Sequence, residues 1–182
     1  AYPEPVLARL RSLADSVQVI SPAESWKSHP EVLQRADVIF SGWGAPRMDD
    51  AFLRHAPNVR AIFYAAGSIR YFLTDAVWRR GIRITTAQAQ NAVPVAEFAA
   101  ASLLLGLKRV WHYGRITRDT RAFPADRPMP GAYQSTVGLI SYGTIARLVR
   151  ERLRALDVKV VVFDPFLTPE LARAEEVTAV SL

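Results

Sequence analysis

Thr136-Val137-Gly138-Leu139-Ile140, then Ser141-Tyr142-Gly143-Thr144-Ile145-Ala146, and further on Val158-Lys159-Val160-Val161-Val162-Phe163-Asp164 are the stretches that decide the fold. The outer two read as strands, bounded by turn residues and rich in valine and isoleucine. Between them Ile145, Leu148, Val149, Leu153 and Leu156 recur at the spacing of one helical face. Thr136 to Phe163 is 28 residues, close to the ~30 of a dinucleotide-binding strand-helix-strand unit.

Each part of that unit has a physical purpose. Gly143 lets the backbone approach a pyrophosphate, and the first amides of the helix, near Thr144 and Ile145, can bind anionic oxygens. Ala146 is small enough for close packing of helix on strand, and Tyr142 and Pro165 are expected among the cofactor-binding residues. Asp164, 21 positions after Gly143, is placed to accept hydrogen bonds from ribose hydroxyls. A carboxylate there repels a 2′-phosphate, so NAD is expected rather than NADP. The turn departs from the glycine pattern at its first position, where Ser141 stands.

Working outward, the upstream half alternates short helices and short apolar strands. Helices are expected over Pro3 to Ala14, Pro30 to Ala36, from a cap at Asp49 or Asp50 through His55, and from Phe72 to Arg80 with Gly81 as the stop. Strands are expected at Val17–Ile20, Asp37–Phe40, Val59–Tyr64 and Ile82–Thr85, with a Ser21-Pro22 break after the first. Such alternation implies α/β architecture with a parallel sheet covered on both faces. From Pro94 a long helix runs to Leu107, with Asn91 as a cap upstream. Its apolar residues lie all round, which predicts burial by the fold or by a second subunit. A loop from Arg118 to Ser135, with Pro124, Pro128, Pro130 and Gly131, is the candidate linker, and an earlier switch near Thr86 to Val93 is the alternative.

Composition narrows the classes. The 182 residues are 50% hydrophobic and 22% charged, which argues against disorder and low-complexity repeats. With no cysteine there is no thiolate metal site or cysteine nucleophile, and a cytoplasmic location is expected. The apolar run Val95 to Leu107 is interrupted by Glu97 and falls short of the ~20 residues of a membrane span. His29, His55 and His112 have no metal-ligand spacing. Net charge is +6, which favours anionic partners, but the arginines are scattered, so nucleic-acid binding is not expected.

At this point the chain resembles the D-isomer-specific 2-hydroxyacid dehydrogenase family. The residues that carry the resemblance are Ala65-Ala66-Gly67-Ser68, the segment Asp75 to Ile84, then Asn91-Ala92-Val93-Pro94-Val95-Ala96-Glu97-Phe98, and Val137-Gly138-Leu139-Ile140 through Asp164-Pro165. The resemblance implies a flavodoxin-like substrate domain over residues 1–90, followed by the first part of a Rossmann NAD-binding domain over 91–182. It implies hydride transfer between NAD(H) and a 2-hydroxy or 2-keto acid, in a homodimer. Ala66, Gly67 and Ser68 would bind the substrate carboxylate through backbone amides, with Asn91 near the substrate and Val95 near the nicotinamide. Trp43 and Arg70 are weaker candidates for shaping that pocket. The family's catalytic arginine, acid and histidine lie beyond the segment that ends at Leu182, so no catalytic residue is expected within this chain. A strand before Pro3 is also missing from the family's pattern, so both ends are expected to be cut. An NAD(H)-binding sensor or corepressor without turnover is the alternative.

Overall fold

A computed structural model describes residues 2–20, 25–124 and 131–182. The expected Ser21-Pro22 break and the Pro128 and Pro130 positions of the linker lie outside them. The chain forms two compact units, Ala1–Gln88 and Ala89–Leu182, so the division falls in the stretch from Thr86 to Val93 and not in the loop from Arg118 to Ser135.

In the first unit, α1 (Glu4–Arg11), α2 (Pro30–Arg35), α3 (Asp50–His55) and α4 (Asp75–Arg79) accompany the strands β1 (Val38–Ser41), β2 (Ala61–Tyr64) and β3 (Arg83–Thr86). The strands are parallel in the order β1-β2-β3, with Val38 opposite Ala61 and Ala61 opposite Arg83. Helix α3 starts where the Asp49 carboxylate accepts from the Phe52 amide at 3.0 Å, satisfying one of the free donors of a helix start. Helix α4 gives way to Gly81 at φ +64°, a left-handed conformation that glycine adopts without steric cost. Met48, Phe52, Ile62, Phe72 and Val77 are fully buried and form the core on one face of the sheet, where Trp26 packs edge-on to Phe52 at 5.1 Å.

Several expectations need correction. Val17–Ile20 is not a strand. An apolar run becomes one only when a neighbour takes up its backbone hydrogen bonds, and none is present among the described residues. Helix α1 buries no residue, although its apolar spacing is regular. The second face of the sheet is only partly covered: Phe40 and Phe63 stack at 4.9 Å yet stay half exposed. Phe72 precedes α4 rather than opening it, because its side chain is fully buried in the core.

The second unit holds α5 (Gln88–Leu107), α6 (Val110–Thr120), β4 (Ser135–Ile140), α7 (Thr144–Leu153), β5 (Val158–Phe163), α8 (Pro169–Ala174) and β6 (Thr178–Ala179). Its strands are parallel in the order β4-β5-β6, with Ser135 opposite Val158 and Ile140 opposite Phe163. Val137, Val149, Leu153, Val160 and Val162 form the core, so the apolar stripe of α7 packs on the inward residues of both strands.

Helix α5 begins earlier than expected, with Pro94 inside it. Proline forgoes the bond to the carbonyl four residues back, here Gln90, and the helix continues through it. Asn91 is therefore within the helix and not its cap. By length and composition α5 is sufficient to cross a membrane, unlike the shorter run read from the sequence. It is also not buried all round: Ala92 and Ala96 are buried, Ala99, Leu103 and Leu107 pack against the core, and Phe98 is exposed. Helix α6 occupies part of what was read as a loop; its residues are amphipathic in pattern but none is buried.

Candidate functional site

Register places the glycine turn and Asp164 side by side. Because Ile140 pairs with Phe163, the chain leaves β4 into Ser141 at the same level as it leaves β5 into Asp164. Ser141 donates its amide to the Phe163 carbonyl at 2.7 Å. The Tyr142 amide then donates to Asp164 Oδ2 at 2.5 Å, with Ser141 Oγ 3.5 Å from the same oxygen. Asp164 Oδ1 accepts from the Phe166 amide at 2.8 Å. These bonds, the Tyr142 amide first, hold the Asp164 carboxyl below its usual range, so it is ionised at neutral pH.

The left-handed turn stays at the first position of the glycine pattern, with a serine in it. Ser141 has φ +72°, the left-handed region where a side chain is strained. Gly143 has φ −79° and ψ −167°, which any residue adopts. A Cβ added to Gly143 would meet no atom within 4 Å. The chain's own packing and conformation therefore give no reason for glycine at position 143. Open space in front of it remains.

Gly143 is also the N-cap of α7 and offers no side-chain acceptor. The amides of Thr144, Ile145 and Ala146 meet no acceptor among the described residues, so the start of α7 presents free donors and the positive end of its dipole. The expected cofactor-binding residues Tyr142, Gly143, Thr144, Ile145, Asp164 and Pro165 thus gather at the carboxyl ends of β4 and β5. The residues fit a dinucleotide: free amides for a pyrophosphate, space at Gly143, and an ionised acid whose remaining lone pairs can accept from ribose hydroxyls.

A supporting network escaped the sequence reading. Tyr142 is buried, and its hydroxyl donates to Glu175 Oε2 at 3.3 Å. Burial, then Glu175, pushes the phenol up from its ordinary value. Arg147 lies over the Tyr142 ring, donates from Nε to the Tyr142 carbonyl and pairs with Glu175 at 3.3 Å. Arg150, itself buried, donates to the Glu175 and Glu176 carbonyls. The sequence shows these arginines on α7, but their partners sit between α8 and β6, elements it did not disclose. Glu97 pairs with Arg152 at 3.6 Å, tying α5 to α7.

The remaining expected residues fall elsewhere. Asn91 and Val95 are on the first turns of α5, Asn91 half-buried and Val95 exposed. Ala66, Gly67 and Ser68 belong to the first unit, just beyond the carboxyl end of β2. There the Ala65 amide donates to the Ser41 carbonyl and the Ala66 carbonyl accepts from Ala87. The amides of Ala66, Gly67 and Ser68 meet no acceptor among the described residues. Trp43, in the loop after β1, is exposed, as is Arg70.

Parallel strands, a glycine turn opening a helix and an acid at the end of the next strand define a doubly wound dinucleotide-binding unit. Residues 101–182 match the D-isomer specific 2-hydroxyacid dehydrogenase, NAD binding domain. It is 26% identical over 138 residues to D-3-phosphoglycerate dehydrogenase of Mycobacterium tuberculosis, covering 76% of this chain and 26% of that protein. Glyoxylate reductase of Thermofilum pendens is 27% identical over 171 residues, covering 89% of this chain and 49% of that protein. The chain thus spans half or less of these relatives. Among solved structures, D-lactate dehydrogenase of Aquifex aeolicus, complexed with NAD and lactic acid, superposes with a TM-score of 0.73 at 21% identity, covering 99% of this chain and 54% of that one.

Proposed function

We propose that this chain is part of an oxidoreductase that transfers hydride between NAD(H) and a 2-hydroxy or 2-keto acid. The observation that carries the reading is the open turn at Gly143 facing free helix amides, beside the ionised Asp164. NAD, when bound, accepts or donates the hydride. The chain's own residues supply the binding: the Thr144 and Ile145 amides hold the pyrophosphate, Asp164 holds the ribose, and Tyr142 and Pro165 frame the two contacts. In the first unit, the free amides of Ala66, Gly67 and Ser68 bind the substrate carboxylate. In the second unit, Val95 lines the nicotinamide position.

The protein acts as a homodimer in the cytoplasm. Phe98, Leu105 and Trp111, exposed on α5 and α6, support a contact with a second copy, and the cysteine-free sequence is compatible with a reducing compartment. The packing of Ala96, Ala99 and Leu103 against the β4–β5 core supports α5 as part of the nucleotide-binding unit rather than a membrane span.

Gly143→Ala tests the reading. Since the added methyl meets nothing in the chain, stability should change by less than ~0.5 kcal/mol. NADH affinity, followed by titration calorimetry, should fall by roughly tenfold or more, because the methyl occupies the space left for the pyrophosphate. Unchanged affinity would remove the cofactor reading.

A further inference from the structure

The loop whose amides are assigned to the substrate carboxylate is closed at its two ends by a pair of tyrosines. Tyr64 is the last residue of β2, and Tyr71 follows the loop. Their hydroxyls are hydrogen-bonded to each other across the six intervening residues. The rings stand edge-on at 6.4 Å, and both pack on the fully buried Phe72, at 4.7 and 5.1 Å. On the inner side the loop is fixed by buried Ala66 and by Ile69, which packs against the core. Gly67 and Ser68 lie between these anchors with free amides and no side-chain tether.

The two tyrosines differ in surroundings. Tyr64 is 2% exposed, whereas Tyr71 is 54% exposed. Burial, then the bond to Tyr71, pushes the Tyr64 phenol up to about 12, so it stays protonated across the physiological range and the pair always has a hydrogen to share. Phenylalanine at either position would fill the same space, so packing alone does not explain why both hydroxyls are present.

We propose that the Tyr64–Tyr71 hydrogen bond is a positioning device for the substrate, holding the Ala66-Gly67-Ser68 amides in the arrangement that receives the carboxylate of a 2-keto acid. The inference rests on the carboxylate reading of that loop. Neither tyrosine is required to touch the substrate. Without their bond the loop would remain anchored on its inner side but would sample other orientations at Gly67 and Ser68. Part of the binding energy would then go to ordering it.

The test uses the 182-residue chain with Tyr64→Phe, Tyr71→Phe and the double variant, pyruvate as the probe, and amide NMR as the readout. Stability and positioning rank the variants differently. Tyr71→Phe strands a buried hydroxyl and should melt lowest, while Tyr64→Phe leaves a hydroxyl that water can reach and the double variant leaves none. If the bond positions the loop, all three break it equally: each should weaken pyruvate binding to the Gly67 and Ser68 amides on the order of fivefold, with lower order parameters over residues 66–70. Shifts in the unsubstituted chain with unchanged affinity in all three variants would overturn the proposal alone. Affinity that follows the melting order would also overturn it. No pyruvate-dependent shift in the unsubstituted chain would overturn the carboxylate reading, and the proposal with it.

Discussion

Ser141 and Gly143 show how little residue identity says about backbone conformation when read alone. The glycine pattern assigns the tight turn to its first position, and the structure keeps that left-handed turn with a serine in it. The cost of a left-handed L-residue is ~1–2 kcal/mol, and glycine loses ~0.4–1 kcal/mol through the freedom it gains when unfolded. Ser141→Gly should therefore stabilise the nucleotide-binding unit by about 0.5 kcal/mol, measured by urea unfolding; a loss of stability would mean that the Ser141–Asp164 contact outweighs the strain. Asp164 carries a pH dependence of definite sign. Its folded carboxyl titrates lower than the unfolded one, so its contribution is complete above the unfolded value of about 4 and is lost as pH falls through the folded value. Asp164→Asn should flatten the decline of stability in that acid range, followed by unfolding at stepped pH, and should leave its slope near neutrality unchanged.

Among the elements, those with strong local signals were legible. The strands β4 and β5 and the stripe of α7 follow from alternation and helical spacing, and Asp49 and Gly81 mark a helix start and a helix stop through their own chemistry. Leu153, on that stripe, is 1% exposed among Val149, Val160 and Val162. Leu153→Ala should cost about 2–5 kcal/mol in unfolding of the second unit, and a cost below ~1 kcal/mol would show that α7 is not held by this core. What failed to show was whatever depends on a neighbour. Val17–Ile20 has the residues of a strand but no pairing partner among the described residues, and α1 has an apolar face that the fold covers only in part. The start of α5 was hidden by Pro94, which reads as a beginning although the helix passes through it. At the site, Gly143 and Asp164 were legible from spacing alone. Arg150 and Glu175 were not, because their contact joins α7 to a turn beyond α8 that no local pattern announces.

For the molecule as a whole, the apolar residues on α5 and α6 decide its behaviour in solution. Phe98 is 75% exposed and Trp111 60%, a display that soluble chains ordinarily cover with a partner. Light scattering should give the mass of a dimer, and Phe98→Glu should shift it towards monomer without loss of helical content by circular dichroism. A monomer at high concentration would remove the dimer from the proposal.

The distribution of the four tryptophans gives the two units different optical behaviour. Trp43, Trp78 and Trp111 are exposed in the folded chain, so their emission is already that of indole in water. Trp26 alone packs into a core, against Phe52 and His55 in the first unit. A red shift of intrinsic emission during denaturation therefore reports the first unit, while the parallel sheet that carries Gly143 and Asp164 can unfold with little change in colour. Far-ultraviolet ellipticity follows both, and any separation between the two curves measures how independently the halves come apart.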